Sequence, residues 1–166
     1  MANVLDKLGD ISTFIFDVDG VMTDGSLFLP EDGPPSRVMN AKDGMAMKIA
    51  LDKGYKMAII TGGYSDGVIN RFQRLGIKEI YTRVEDKVAV FNKLLSIFNI
   101  KAGEVLYMGD DVNDVGLLKQ VGLPCCPYDA VPETIAVSDY VSPKNGGKGC
   151  VRDVIEKVLK VQENWV

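Results

Sequence analysis

The sequence predicts an α/β fold, a doubly wound and mainly parallel sheet with a Rossmann-like core, and three observations predict it. Short apolar, β-branched runs alternate with amphipathic runs along the whole chain, the pattern of repeated strand–helix units. Several of those apolar runs stop abruptly in acids, hydroxyls or glycines, as buried strands do where they deliver polar groups to a ligand crevice. The 166 residues carry no internal repeat, low-complexity tract or compositional break, so they are expected to form one domain around one core.

The opening strand, 13–16, ends in Asp17-Val18-Asp19-Gly20. Ser26 to Leu29 and Ser36 to Asn40 flank a Pro30-Glu31-Asp32-Gly33-Pro34-Pro35 cluster and read as a β-hairpin inserted at about 26–39. Its apolar residues (Leu27, Phe28, Leu29, Val38, Met39) either fold back on the core or meet another subunit. A helix over 43–53 is closed by Gly54, and a second buried strand, 56–60, runs straight into Thr61-Gly62-Gly63. Then follow a helix over 65–75, a short strand at 79–81 and a helix that starts in Val84-Glu85-Asp86-Lys87 and runs to about Phe98. The strand 104–108 delivers Gly109-Asp110-Asp111-Val112-Asn113-Asp114. Beyond it are a helix over 113–121 stopped by Gly122, a strand at 123–126, a brief helix at 131–137 and a strand at 139–141. A mobile basic loop, 144–149, leads to a final amphipathic helix over 151–161.

Composition removes several function classes. A formal net charge of −4 disfavours nucleic acid as a partner, because backbone binding relies on clustered Lys and Arg. No apolar run is long enough to cross a bilayer, and the first ten residues lack the basic start and apolar block of a secretion signal, so a cytoplasmic protein is expected. Cys125, Cys126 and Cys150 have no zinc-ligand spacing and read as reduced, apolar thiols. There is no histidine, which excludes imidazole acid–base chemistry, His-activated nucleophiles and His-liganded zinc. Any proton transfer falls to carboxylates.

Asp17 and Asp19, two positions apart on a chain leaving a strand, can point into one pocket while Val18 points away. A lone Asp-x-Asp would be an ordinary acidic turn, and an EF-hand loop fails because Val21, Met22 and Phe28 stand where an oxygen ligand, Gly and Glu are required. Taken with Asp110, Asp111 and Asp114 at neighbouring strand ends, however, up to five carboxylates share a pocket. That density requires a divalent cation, and an all-oxygen site is magnesium chemistry. A cation there attracts phosphate. Thr61, the backbone N–H groups of Gly62 and Gly63, and Lys87 would cover the phosphate oxygens, although most lysines are merely solvated. In these roles Asp17 is the nucleophile that forms an aspartyl-phosphate. Asp19 protonates the leaving oxygen and then takes a proton from water.

Asp17-Val18-Asp19, Thr61, Lys87 and Asp110 come in an order that resembles the four motifs of the haloacid dehalogenase-like (HAD) phosphohydrolases, over nearly the whole chain. The resemblance implies Asp17, the backbone carbonyl of Asp19, and Asp110 as metal ligands, with Asp111 and Asp114 behind them or paired with Lys87. The run Asp17 to Gly25, the hairpin, Lys42-Asp43-Gly44 and Gly146-Gly147-Lys148-Gly149-Cys150-Val151-Arg152 are similar to the branch without a cap domain, represented by 3-deoxy-D-manno-octulosonate 8-phosphate (KDO 8-phosphate) phosphatases. That branch implies a homotetramer whose neighbouring subunits complete the active sites, and an acidic sugar phosphate as substrate. Its selectivity would lie in the hairpin, the Lys42–Asp43 helix entry and the Gly63 to Arg74 region, with the sugar carboxylate met by Arg71, Arg74, Lys42 or Lys148. Gly63 departs from the pattern: octulosonate-phosphate relatives often carry a basic residue there and nonulosonate 9-phosphate relatives an acidic one, so a phosphatase of the second kind is the alternative. A receiver-type signalling module is the alternative of another class. It needs its phosphoaccepting Asp on a later strand, and none follows 56–60.

Overall fold

The computed structural model describes residues 3–166. Six strands, β1 (Thr13–Phe16), β2 (Lys56–Ile60), β3 (Glu79–Tyr81), β4 (Val105–Met108), β5 (Leu123–Cys126) and β6 (Tyr140–Val141), make one sheet in the order β3-β2-β1-β4-β5-β6. Every neighbouring pair is parallel, which is the doubly wound fold expected. The chain winds outward from β1 in both directions, to β2 and then to β4, so the crevice at the C-terminal ends of β1 and β4 is the switch point where such sheets bind ligands.

The strands are apolar on both faces because helices cover both. Phe14, Phe16, Met57 and Ile59 point to one layer, where α1 (Val4–Asp10), α2 (Ala41–Asp52), α3 (Asp66–Leu75) and α7 (Cys150–Val161) bring Leu8, Met47, Phe72, Ile155 and Leu159. Ile15, Ala58, Ile60 and Tyr107 point to the other, against α4 (Lys87–Phe98) and α5 (Val115–Leu118) through Phe91, Leu94, Leu117 and Leu118. A short α6 (Pro132–Ile135) lies between β5 and β6.

Several bounds move for capping reasons. The Asn40 side chain accepts the Lys42 N–H at 2.8 Å and starts α2 at Ala41, before the residue expected. Asp86 accepts the Ala89 N–H at 3.0 Å and starts α4 at Lys87, later than expected. The helix read over 113–121 is a 3₁₀ turn (Val112–Asp114) followed by one α turn. The N-terminal helix α1 has no counterpart in the sequence reading. Where a hairpin is expected the chain makes a single antiparallel bridge, Phe28 to Ser36, with N–H···O distances of 3.1 and 2.9 Å. Pro30, Pro34 and Pro35 remove the donors that would lengthen it.

The largest correction concerns the glycine-rich segment read as a mobile loop. It is packed on the turn after β1: the Gly147 N–H donates to Val21 O at 2.9 Å and the Gly146 N–H to Asp129 at 2.9 Å. A Cβ on Gly146 would lie 1.9 Å from Gly20 O. The glycines are there to let two backbones touch.

Candidate active site

Asp17 extends β1 by one residue, its N–H still donating to Met108 O at 3.1 Å, so β1 and β4 together fix it at the switch point. Its side chain is buried: Oδ1 accepts the Val18 N–H at 2.7 Å and Oδ2 lies 3.0 Å from Lys87 Nζ. Lys87, itself buried, donates to Asp114 Oδ1 at 2.6 Å. Tyr107 from β4 donates to the same oxygen at 2.5 Å, and Asp114 Oδ2 accepts the N–H groups of Asp110 (2.9 Å) and Asp111 (3.3 Å). Both oxygens of Asp114 are therefore occupied, and this residue braces Lys87 and the Asp110 loop. Asp111 is exposed, and its Oδ1 accepts the Val112 N–H at 2.6 Å. The two acids that sequence could not separate thus divide into a buried brace and a rim residue.

Ligand oxygens of Asp17, Asp110 and Asp114 lie within 4.8 Å of one another, and the buried Asp110 Oδ1 has no hydrogen-bond partner among the described residues. Burial raises the Asp17 carboxyl to about 6, with Lys87 opposing and Asp114 adding to the rise. Burial, then the charges of Asp17 and Asp114, raise Asp110 to about 8. Burial lowers Lys87, but Asp17 and Asp114 outweigh it and leave the ammonium above its ordinary value. Carboxylates held together against both desolvation and mutual repulsion, with an orphan oxygen among them, fit a hard divalent cation. Gly20 makes the approach possible: at φ +86° it has no Cβ, and one placed there would sit 1.9 Å from Asp110 Oδ2.

The pocket above these groups is a cavity of about 240 Å³ reached by Asp17, Asp19, Thr61, Gly62, Gly63 and Asp110. Thr61 is fixed by backbone bonds to Tyr81 and Val84, and its Oγ1 accepts the Gly63 N–H at 3.2 Å, which leaves the hydroxyl hydrogen to donate. Asp17, Asp19, Thr61, Gly62, Gly63, Lys87, Asp110, Asp111 and Asp114 thus lie together at one switch point.

The side chain of Asp19 lines this pocket but stands outside the Asp17–Asp110–Asp114 cluster. Arg37, from the second arm of the bridge-closed insertion, holds it through both oxygens: Nε to Oδ1 at 2.6 Å and Nη2 to Oδ2 at 3.1 Å. Sequence reasoning missed Arg37, because no spacing marks a contact made only when the insertion folds back. It also missed Tyr107, whose one signal was a hydroxyl in an otherwise apolar strand, where burial demands a partner.

Of the residues expected to select the substrate, Lys42, Asp43, Arg71, Arg74 and Lys148 do not line this pocket. Asp43 is buried beneath α7, with Oδ1 accepting the Arg152 N–H at 2.8 Å and burial raising its carboxyl to about 6 against the Arg152 and Gly149 N–H groups. It caps α7. Lys42 and Lys148 line a separate cavity of about 440 Å³ with Lys144, Arg152 and Lys157. Arg71 and Arg74 lie on α3, with the Arg71 guanidinium over Gly44, where an added Cβ would be 2.4 Å from Nη2.

Comparison with known proteins fits this geometry. A family model described as haloacid dehalogenase-like hydrolase matches residues 75–155. The 3-deoxy-D-manno-octulosonate 8-phosphate phosphatase of Escherichia coli (strain K12) is 36% identical over 161 residues, 97% of this chain and 86% of the relative. The crystal structure of the Yersinia pestis 3-deoxy-D-manno-octulosonate 8-phosphate phosphatase superposes with a TM-score of 0.95 at 32% identity, covering 97% of this chain and 87% of that one. That of the Moraxella catarrhalis phosphatase, in complex with a magnesium ion, a phosphate ion and a KDO molecule, gives 0.94 at 33% identity, covering 97% and 92%. With the motif residues in place at the switch point and this likeness running over almost its whole length, the chain belongs to the 3-deoxy-D-manno-octulosonate 8-phosphate phosphatase family of the HAD-like hydrolases.

Proposed function

We propose that this chain is a magnesium-dependent phosphomonoesterase that releases phosphate from 3-deoxy-D-manno-octulosonate 8-phosphate. The observation that carries the reading is the buried Asp17, aimed into a pocket it shares with Asp110 and Thr61 and braced from behind by Lys87. Asp17, Asp110 and the backbone at Asp19 would hold the ion. Bound magnesium neutralises the carboxylates and draws charge from the phosphoryl oxygens.

The chain's own residues do the rest. Asp17 attacks phosphorus and forms an acyl phosphate as the ester P–O bond breaks and its electron pair passes to the sugar oxygen. That oxygen takes a proton from Asp19, which then accepts one from the water that hydrolyses the acyl phosphate. Lys87, the Thr61 hydroxyl and the backbone N–H groups of Gly62 and Gly63 stabilise charge on the transferring group.

We further propose a cytoplasmic homotetramer of single-domain, capless subunits. No helix among the described residues is long and apolar enough to cross a membrane. Phe28 (71% exposed), Leu29 (70%) and Val38 (83%) form an apolar surface on the insertion that suits a subunit contact. A neighbour docked there is also the way Arg71, Arg74, Lys42 or Lys148 would reach a substrate. The test is phosphate release from a panel of sugar phosphates with magnesium or EDTA, beside light scattering. Magnesium-dependent turnover favouring KDO 8-phosphate is expected; neutral hexose phosphates matching it in kcat/KM would overturn the substrate, and a monomer at micromolar concentration would overturn the assembly.

A further inference from the structure

We infer that Arg37 is a substrate-exchanged positioning residue: it holds Asp19 in the free enzyme and passes to an anionic group of the substrate's leaving portion in the complex. The inference rests on the acidic-sugar reading above. Three observations carry it. First, all three guanidinium nitrogens are engaged, Nε and Nη2 on Asp19 and Nη1 on Pro35 O at 3.3 Å, and only 6% of the side chain is exposed. The guanidinium fork takes one lone pair on each Asp19 oxygen and so fixes the way the carboxyl group faces, with 34% of that side chain still exposed. Asp19 as found is held by the insertion, and releasing the pair would free it to turn toward a leaving oxygen.

Second, Arg37 lies on a path out of the acidic pocket that a large leaving group could follow. A narrow cleft shares Asp19, Thr61 and Gly63 with that pocket. The same cleft shares Arg37, Ser65 and Val68 with an outer cavity of about 420 Å³. Among the described residues that line these three spaces, Arg37 is the sole cation. An anionic group on the leaving portion therefore meets one positive partner from this chain, and that partner is the one restraining Asp19.

Third, Gly63 leaves room for the fork. A Cβ at residue 63 would lie 2.9 Å from Asp19 Oδ2 and 3.1 Å from Arg37 Nη2. Residue 63 thus stands where any side chain would press on the Arg37–Asp19 pair, and its being glycine lets the fork close.

Exchange would make selectivity a matter of turnover as well as binding. A phosphate ester with a second anion at the right reach draws Arg37 off and frees Asp19 to face the leaving oxygen; a neutral ester must break the pair without compensation. The test compares wild type, Arg37→Ala and Arg37→Lys on KDO 8-phosphate and on glucose 6-phosphate, with kcat and KM resolved. The preference ratio between the two substrates is independent of the fraction of each variant that folds. A charge-assisted contact is worth roughly 10- to 100-fold, so Arg37→Ala should narrow the ratio by at least about tenfold, with KM for KDO 8-phosphate raised and kcat for glucose 6-phosphate raised because Asp19 is no longer held. Arg37→Lys, which keeps the charge and loses the fork, should recover part of the ratio. An unchanged ratio in Arg37→Ala would overturn the inference while leaving the acidic-sugar reading intact. If wild type itself shows no preference for KDO 8-phosphate, the substrate reading fails first, and the exchange with it.

Discussion

Without a cation, this protein should lose stability as pH rises from 5 to 8, and magnesium should restore it. Burial and the charges of Asp17 and Asp114 raise the Asp110 carboxyl in the fold from the ordinary 3.8 to about 8. An acid raised on folding contributes stability that is fully present below the unfolded value, near 3.8, and is lost as pH climbs through the folded value, near 8. At about 1.4 kcal/mol per pH unit that gap bounds the loss at about 6 kcal/mol, and solvent screening at a partly exposed carboxyl reduces it to about 3 kcal/mol. A ligand at a hundred times its dissociation constant adds about 2.7 kcal/mol, so millimolar magnesium is of the right size to offset the loss at pH 8. At pH 5 it must displace a proton and should add little. Urea denaturation of wild type and Asp110→Asn at pH 5, 6.5 and 8, each with magnesium or EDTA, measures this directly. The difference between the two proteins removes the shared contributions of other carboxyls. If Asp110→Asn keeps the wild-type pH slope, or responds equally to magnesium at pH 8, Asp110 is not the group that couples protons to the ion.

Asp17→Asn should lower phosphate release by about four orders of magnitude or more and abolish acid-stable labelling of the protein by phosphorylated substrate, because the nucleophile itself is gone. Lys87→Met leaves two buried carboxylates without their counter-charge, 3.0 and 2.6 Å from the lost ammonium, and should cost about 3 to 5 kcal/mol in urea denaturation at pH 7.5, partly recovered by magnesium. Asp43→Asn keeps an acceptor for the Arg152 N–H and removes a carboxyl raised to about 6, so the variant should gain on wild type as pH rises from 5 to 7.5 in thermal or chemical denaturation. Gly146→Ala sets a methyl 1.9 Å from Gly20 O and should lower both Tm and kcat, since the displaced backbone carries the Asp17–Asp19 turn.

What the sequence disclosed and what it hid follow the range of the forces involved. The parallel sheet was legible because each strand is written locally, as an apolar run ended by a polar group, and Asp17, Thr61, Lys87 and Asp110 were legible because their order resembles the HAD motifs. Lys87 was legible only as a member of that order; nothing local distinguishes it from the exposed lysines elsewhere on the chain, and its burial exists because Asp114 and Asp17 arrive from two other strands. Composition says little about segments whose role is to be touched. The glycines of 144–149 read as slack, although Gly146 and Gly147 are the tightest contact between the C-terminal segment and the catalytic turn. Asp43 read as part of a substrate entry, although its carboxylate is buried beneath α7. Arg37 was invisible for a related reason. It is one cation in a proline-interrupted insertion, its partner is eighteen residues away, and the fork forms only because a single bridge turns the chain back over Asp19. A short parallel strand can place an acid at a switch point unaided. Which way that acid faces is decided by a neighbour that only the folded chain supplies, so the Asp17 pocket was readable as chemistry and the control of Asp19 was not.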